Sequence, residues 1–273
     1  MSKLSKRTHY WLQQWPNMEK EGKYIYCVIE TKQERNFGPI GIGKRGNEVL
    51  TIGYDDLSMV VSNYPLTKIT ANRENMLTHQ KVIEEVMNEF DSVLPVRFGT
   101  IASSADEVRN LLDRRCREFK TALRDMDHKI ELGVKGIWKN MDVIFNEIVE
   151  ANREIKRLKE KIAGDTSGHN TQVKIEVGRM VERALQKKKE QEAEKIVDAS
   201  RRTAFDHRLN KTIGDGMFMN AAFLLDKGRE KEFDNIMDEL SDKYENKVKF
   251  MYAGPLPVFN FVNIVIYPEE WEK

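Results

Sequence analysis

The sequence predicts an α+β protein of two domains, and three observations support this fold class. The chain has 273 residues, of which 40% are hydrophobic, so it is long enough to bury a core in each domain. Its first half contains strand-like runs rich in β-branched and aromatic residues, together with amphipathic helical segments. Its second half inserts a long helical periodicity between strand-like runs. Such mixtures are typical of domains in which helices cover a sheet.

The charge balance and the apolar pattern exclude several classes of protein. Lys and Arg number 45 against 44 Asp and Glu, so no basic excess favours binding to nucleic acid. No apolar run approaches the roughly 18 residues of a membrane span, and the N-terminus lacks a signal-peptide core. Cys27 and Cys116 have no CxxC partner and indicate buried thiols in a reducing compartment. We therefore expect a cytoplasmic protein.

The first predicted domain spans residues 23–130 and follows an N-terminal arm of residues 1–22. The arm mixes tryptophans with polar residues, which predicts either a mobile segment or a short amphipathic helix. Tyr24–Glu30 has the composition of a strand, and residues 48–64 predict a hairpin of two more strands. From Met76 onward the apolar residues recur at helical spacing, which predicts a helix.

A strand followed by a helix completes this domain. Leu94–Ile101 is rich in β-branched and aromatic residues, which predicts one strand buried on both faces, with a turn at Gly99. Ser104 and Glu107 have the spacing of a capping box, so we expect a helix to begin at Ala105. The apolar face of this helix would consist of Val108, Leu112, Phe119, Leu123, Met126 and Ile130.

The second predicted domain spans residues 131–273 and contains an inserted helical hairpin, residues 141–200. A strand-like run at 131–138 opens the domain. Apolar residues then repeat every three or four positions and predict a heptad seam, at Met141, Ile144, Ile148, Ala151, Ile155, Leu158 and Ile162. After a glycine-containing turn at 164–170, a second helix would continue this seam as far as the charged run 186–195, where solvent should surround it.

The rest of the second domain supplies a strand, a helix and the final strands. Residues 216–226 predict a strand, 230–240 an amphipathic helix and 248–267 the last strands. The resulting order of strand, long helices, strand, helix and strand resembles a modified ferredoxin-like fold.

Two glycine motifs match nucleotide-binding patterns, but their surroundings argue against that function. A GxGxxG pattern begins at Gly41, and a GxxxxGK pattern spans residues 38–44. A phosphate site requires glycines that lead into a helix, whereas strand-like residues follow here. Arg45 also occupies the position of the Ser or Thr that binds magnesium. We therefore predict a flexible loop between strands and no bound cofactor.

Other candidate residues lack the partners that catalysis or metal binding requires. The five histidines have neither HxH nor HExxH spacing, which argues against a zinc site. His79 lies on an apolar helix face and is predicted to be a half-buried structural residue rather than a functional one. Arg97 is predicted to form an internal ion pair, with ligand binding as the alternative. Because GxSxG and local Cys–His arrangements are also absent, we predict no catalytic, cofactor-binding or metal-binding residues and no enzyme activity.

An aromatic segment near the end of the chain is the remaining functional candidate. Its prolines remove amide donors and stiffen the chain, so it either closes the second sheet as a strand or exposes aromatic surface to a partner at a bend. The predicted partner-binding residues are Tyr252, Pro255, Pro257, Phe259 and Phe261. A strand would place the last two rings on one face.

Three segments resemble, in the same order, the gas vesicle accessory proteins of the F/L family (GvpL/GvpF). They are VLPVRFGTIASSADEV from Val93, NAAFLLD from Asn220 and YAGPLPVFNFVNI from Tyr252. Where the family pattern has two prolines and an aromatic residue after GP, this chain reads LPVFNF. The resemblance implies a non-enzymatic protein that binds the hydrophobic gas vesicle shell protein and other accessory proteins during vesicle assembly. The alternative is a minor structural component of the vesicle wall.

Overall fold

The computed structural model describes residues 21–43, 46–163 and 171–266, which form a mixed α/β protein with two sheets. These residues group into two compact units. The first contains the described residues up to Asp127 together with 262–266, and the second contains His128–Phe261. Most of the predicted arm, the turn at 164–170, Lys44, Arg45 and the aromatic residues after Ile266 lie outside the described residues.

The sheet of the first unit contains six described strands in the order β2-β3-β4-β1-β5, with β6 also paired to β1. The elements are β1 (Glu21–Glu30), β2 (Asn36–Gly41), β3 (Asn47–Tyr54), β4 (Leu57–Pro65), α1 (Arg73–Glu89), β5 (Val93–Pro95), β6 (Ile101–Ala102), α2 (Ala105–Arg114) and α3 (Cys116–Asp125). The predicted first strand, hairpin and first helix are confirmed. The flexible loop predicted for the glycine motifs is wrong at Gly38 and Gly41, because both residues lie in β2.

The single strand predicted for Leu94–Ile101 is wrong, because two short strands separated by a turn occupy this segment. Both pair with β1, where Leu94 lies opposite Val28 and Ile101 lies opposite Tyr24. The chain turns between them at Gly99, whose φ of +88° is readily adopted by glycine.

The helix predicted to begin at Ala105 is confirmed, although its cap differs from a simple capping box. Ser104 Oγ accepts a hydrogen bond from the Glu107 amide at 3.2 Å. The Glu107 carboxylate accepts from the amide of Ser103 at 2.8 Å, one residue earlier than the pattern predicts. The helix is also divided at Arg115 into α2 and α3. Of its predicted apolar face, Val108, Leu112, Phe119 and Leu123 are buried, Met126 is half-buried, and Ile130 is buried in the following strand.

Both faces of the first sheet are covered by apolar side chains. On one face, Ile25 and Val28 pack with residues of α2 and α3, and the late segment 262–266 adds Ile264 to this core. On the other face, Tyr24, Tyr26 and Ile29 pack with Val82, Ile83 and Val86 of α1. Ile264 forms a single parallel bridge with Val96 rather than part of a strand.

The second unit contains a four-stranded antiparallel sheet in the order β10-β7-β9-β8. Its elements are β7 (Lys129–Trp138), α4 (Met141–Ala151), α5 (Arg153–Ala163), α6 (Thr171–Ser200), β8 (Asp206–Leu209), β9 (Met217–Asp226), a 3-10 turn (Lys227–Arg229), α7 (Glu230–Lys243) and β10 (Val248–Leu256). The predicted β7, β9 and α7 are confirmed, whereas β8 was not predicted. The final strands predicted to reach residue 267 end at Leu256.

The helical region differs from its prediction at two points. The chain breaks at Asn152, whose Oδ1 accepts hydrogen bonds from the amides of Glu154 and Ile155 at 3.2 Å each and so starts a new helix. The charged run in α6 is not surrounded by solvent, because Lys189 and Ala193 within it are buried. Of all the described helices, none combines the length and apolar character that a bilayer span requires.

Candidate functional site

The segment that follows β10, residues 257–261, runs across the second sheet instead of joining it as a strand; we call it the strap. The amide of Phe261 donates to the carbonyl of Val258 at 3.0 Å, which closes a turn. Asn260 bonds to Glu131 on β7, while the Phe261 ring lies 5.9 Å from the Arg208 guanidinium on β8. The strap therefore contacts residues of both strands that flank β9. The strand predicted for this segment is therefore wrong.

Strand alternation identifies the face of the sheet on which the strap lies. Phe223 packs against Phe233 of α7 with ring centroids 5.1 Å apart, so Phe223 and its cross-strand partner Leu132 belong to the face that α7 covers. Glu131 and its partner Leu224 are the adjacent pair and point to the opposite face. The strap covers part of this second face.

A buried carboxylate holds the strap in place. Glu131 is only 4% exposed, and its Oε2 accepts the Asn260 main-chain amide at 2.8 Å. Its Oε1 accepts the Asn260 Nδ2 at 2.6 Å. Burial raises the pKa of Glu131 above its usual value, and the two bonds from Asn260 oppose this shift. Because one carboxylate binds both the backbone and the side chain of Asn260, the position of the strap is well defined.

Aromatic rings and cations lie on the strap that this anchor holds, on β7 and at β8. Phe259 of the strap is 39% exposed, and Phe205, which precedes β8, is 63% exposed. The Nζ of Lys129 lies 4.0 Å from the centroid of Phe205, and Arg208 lies over the half-buried Phe261. Aromatic residues and arginine are both enriched in protein interfaces. We call Phe205, Phe259 and Phe261 the aromatic surface.

The five predicted partner-binding residues do not form one surface. Tyr252 lies on the face covered by α7, where its hydroxyl donates to Asp234 at 2.6 Å and its ring stacks on Phe233. Pro255 is exposed near the end of β10, and Pro257 is buried. Phe259 and Phe261 lie in the strap, where no strand geometry holds their rings on one face. Sequence reasoning missed Phe205, Lys129, Arg208 and Glu131, since no local pattern connects them with the strap.

His79 has the structural role that its helix face predicts, although it is fully buried rather than half-buried. Its Nε2 donates to the carbonyl of Val96 at 3.1 Å, which leaves Nδ1 to accept from the Tyr24 hydroxyl at 2.9 Å. The same hydroxyl accepts the Gly99 amide at 3.1 Å. Burial lowers the pKa of His79 to about 4. The network joins α1 to the turn between β5 and β6.

The internal ion pair predicted for Arg97 is wrong, because its side chain is exposed and the residue lies outside a strand. It therefore needs no internal ion pair. Between β5 and β6 the backbone leaves the sheet at Arg97 and turns at Gly99.

The remaining sequence motifs do not assemble a chemical site. The turn after Gly41 leads into β3 and not into a helix, as the sequence predicts. Cys27 is buried, which raises the pKa of its thiol, and Cys116 is half-buried; both are free. Over the described ranges, His, Cys, Asp and Glu side chains form no cluster of three that could hold a metal.

Comparisons with known proteins agree on one family. The model of the gas vesicle synthesis protein GvpL/GvpF family matches residues 22–263. Gas vesicle protein F of Streptomyces sp. (strain CB03234) is 29% identical over 223 residues, which cover 81% of this chain and 91% of the relative. Gas vesicle protein F1 of Halobacterium salinarum is 23% identical over 252 residues, which cover 92% and 97%.

Solved structures show the same fold. The crystal structure of GvpF from Anabaena sp. PCC7120 has a TM-score of 0.74 at 21% identity, and the match covers 90% of this chain and all of that chain (100%). GvpF from Microcystis aeruginosa has a TM-score of 0.74 at 22% identity, with coverages of 89% and 99%. With a family model that matches nearly the whole chain and two structures of the same fold, this protein belongs to the GvpL/GvpF family of gas vesicle synthesis proteins.

Proposed function

We propose that this protein is a non-enzymatic accessory factor of gas vesicle formation, which binds the hydrophobic shell protein and other accessory proteins during assembly. Its membership of the GvpL/GvpF family supports a gas vesicle role. It would act in the cytoplasm and at the growing vesicle, without a cofactor. The turn after Gly41, which enters a strand and lacks a helix N-terminus, supports a role that does not depend on nucleotide.

The observation that carries shell-protein binding is the aromatic surface. Phe259 of the strap and Phe205 before β8 both expose large rings, and Glu131 anchors the strap through Asn260. Rigid aromatic side chains provide apolar contact area at a low cost in conformational entropy. Exposed apolar groups grouped in this way mark interaction sites. A shell subunit bound there would have part of its own apolar surface shielded from self-association before it joins the wall.

We also infer that the second unit is a modified ferredoxin-like domain with an inserted helical hairpin. Its strands follow one another along the chain as β7, β8, β9 and β10, and they lie side by side in the order β10-β7-β9-β8, which is the order 4-1-3-2. This antiparallel order supports a βαββαβ arrangement in which α4, α5 and α6 replace a single first helix. Contacts of α6 with both α4 and α5 support the hairpin.

Co-purification with the shell protein tests the proposed function. Phe259→Ala and Phe205→Ala should each stay folded, because both rings are exposed, and should reduce capture of the co-expressed shell protein several-fold. Met76→Ala is the matched control, since it removes a similarly exposed apolar side chain from α1. Circular dichroism reports whether each variant is folded. Folded variants with undiminished capture would exclude the aromatic surface.

The same co-expression distinguishes the alternative of a minor wall component. An accessory factor remains largely in the soluble fraction, whereas a wall component is retained on vesicles washed free of cytosol. Retention of most of the protein on washed vesicles would favour the structural alternative.

A further inference from the structure

The two sheets present several strand edges, and most of the described edges are protected against pairing with another chain. The pairing of β2 with β3 contains two register shifts, and β2 includes Pro39, which lacks an amide donor. At the opposite edge of the first sheet, β5 has three residues and β6 has two. In the second sheet β8 has four residues. Bulges, prolines and short strands all hinder the addition of a further strand.

The β10 edge has fewer of these protections. The strand contains nine residues and, within the described ranges, pairs only with β7. Its register is continuous over the six residues from Val248 to Ala253. Met251 and Tyr252 in this stretch are 48% and 40% exposed. The register shift of β10 and its Pro255 both lie after Ala253. The regular stretch Val248–Ala253 therefore offers a row of main-chain donors and acceptors to an extended polypeptide.

Helix α7 places negative charge beside this edge. Glu230, Asp234 and Asp238 are spaced by four residues and therefore lie along one side of the helix. The hydrogen bond from Tyr252 to Asp234 fixes that side next to β10. Burial is the largest cause that raises the pKa of Tyr252, and the nearby carboxylates of Asp234, Glu230 and Asp238 raise it further. Throughout the described chain, neither Glu230 nor Asp238 forms an ion pair, so their charges are not neutralised.

We propose that β10 accepts an added strand from a partner polypeptide, and that this strand is basic. The ladder along β10 supplies the main-chain hydrogen bonds. On the side of the sheet covered by α7, the residues of the added strand meet Asp234 and its neighbouring carboxylates; on the other side they meet Met251. Since strand side chains alternate between faces, the complementary segment has Lys or Arg alternating with apolar residues. This surface is separate from the aromatic surface proposed for the shell protein.

Peptide binding to the full chain tests the inference. The probe is a fluorescent nine-residue peptide of alternating lysine and valine, titrated by anisotropy at two salt concentrations. We expect saturable binding that weakens with salt. Peptides with glutamate in place of lysine, or with a central proline that interrupts the ladder, should bind at least about tenfold more weakly. Amide hydrogen exchange should slow along Val248–Ala253 when the lysine peptide binds.

A charge variant and its control test the contribution of α7. The double variant Glu230→Gln with Asp238→Asn leaves the Tyr252–Asp234 bond intact and should weaken the lysine peptide about tenfold, a loss of about 1.4 kcal/mol. Glu239→Gln removes a carboxylate elsewhere on the same helix and should change the affinity less than twofold. Shell-protein capture is expected to be unchanged in the double variant, which separates this inference from the proposed function.

Several results would overturn the inference. One is that the glutamate or proline peptide binds as tightly as the lysine peptide, and another is that the double variant binds the lysine peptide with unchanged affinity. Unchanged amide hydrogen exchange along β10, or no binding of the lysine peptide at about millimolar concentration, would also overturn it. Sedimentation that reveals a dimer with protected β10 amides in the absence of peptide would identify a second copy of this chain as the occupant instead.

Discussion

At the scale of single residues, Glu131 shows how one buried polar group determines the course of a segment. It lies within the apolar strand β7, yet both of its oxygens accept hydrogen bonds from Asn260. Burying a carboxylate costs free energy unless donors of this kind meet it. The strap provides the donors, so the anchor and the segment require each other.

The variant Glu131→Gln should loosen the strap and lower the free energy of unfolding by about 1–3 kcal/mol, because an amide cannot accept both bonds. The measurement is urea denaturation with and without the substitution. Glu182→Gln, at an exposed position of α6, should change stability by less than about 0.5 kcal/mol. Equal stability of the two variants would show that the anchor has no energetic role.

The pH dependence of this difference has a defined sign. The pKa of Glu131 is raised in the folded state above its usual 4.5. At pH values between 4.5 and this raised pKa, the folded protein therefore binds more protons than the unfolded chain. The contribution of Glu131 to stability therefore decreases as pH rises from 4.5 through that window. Stability curves of the original protein and Glu131→Gln, measured at several pH values, should diverge towards the acid side, because the glutamine of the variant does not titrate. A difference that is constant with pH would contradict this expectation.

His79 has the opposite dependence. Its pKa is lowered from 6.5 to about 4 in the folded state, so the unfolded chain binds the additional proton between these values. Stability should therefore fall as pH decreases from 6.5 towards 4, by at most about 3 kcal/mol from this residue. The variant His79→Gln does not titrate and should show a shallower pH dependence in calorimetric melting. An identical slope in the variant would rule out His79 as the source.

At the scale of elements, the helices of the second unit depend on a few buried residues. Ile144, Ile148 and Ile155 of the predicted seam are buried, whereas Leu158 and Ile162 are half-buried. The seam therefore packs most tightly towards α4 and the start of α5. The buried part of α6 lies nearer its C-terminal end, where Ile196 and Val197 are covered.

Accordingly, Ile155→Ala should destabilise the protein by about 2–5 kcal/mol, because it leaves a cavity where the original side chain is fully buried. Lys188→Ala should cost less than about 1 kcal/mol, since it removes only a partly exposed ion pair with Glu147. Thermal melting of both variants provides the comparison. Similar melting temperatures would mean that the helices are not held together by this seam.

At the scale of the whole molecule, the two sheets bury their faces in different ways. The first sheet has helix α1 on one face and α2 with α3 on the other. In the second unit, α7 packs on one face of the sheet, and the strap lies on the opposite face. The proposed binding surface lies where this irregular covering leaves aromatic rings exposed.

Removing the protein from a vesicle-forming host should abolish or malform the vesicles. Supplying the Lys44→Ala variant to that host should restore normal vesicles, because the proposed role needs no nucleotide. Electron microscopy of the cells and an assay for ATP hydrolysis by the purified protein are the measurements. Robust hydrolysis that disappears in Lys44→Ala, together with failure to restore vesicles, would contradict a non-enzymatic role.

Elements determined by adjacent residues could be predicted from the sequence. The strand β1, the hairpin of β3 and β4, and helix α7 follow from hydrophobic periodicity, and the start of α2 follows from Ser104. Their signals lie within a few residues of one another, so local physical preferences suffice. The ordered similarity of three segments to the GvpL/GvpF family was also present in the sequence alone, and the family match confirms it.

Features that depend on distant partners were decided only by the tertiary structure. Asn260 and Glu131 are 129 positions apart, and their bond directs the strap across the sheet although its composition favours a strand. Lys189 is buried and its Nζ donates to the Gly214 carbonyl at 2.8 Å, which the charged run around it does not indicate. In both cases a hydrogen bond to a remote group outweighs the local preference, since a buried polar group left without a partner costs more free energy than an irregular backbone.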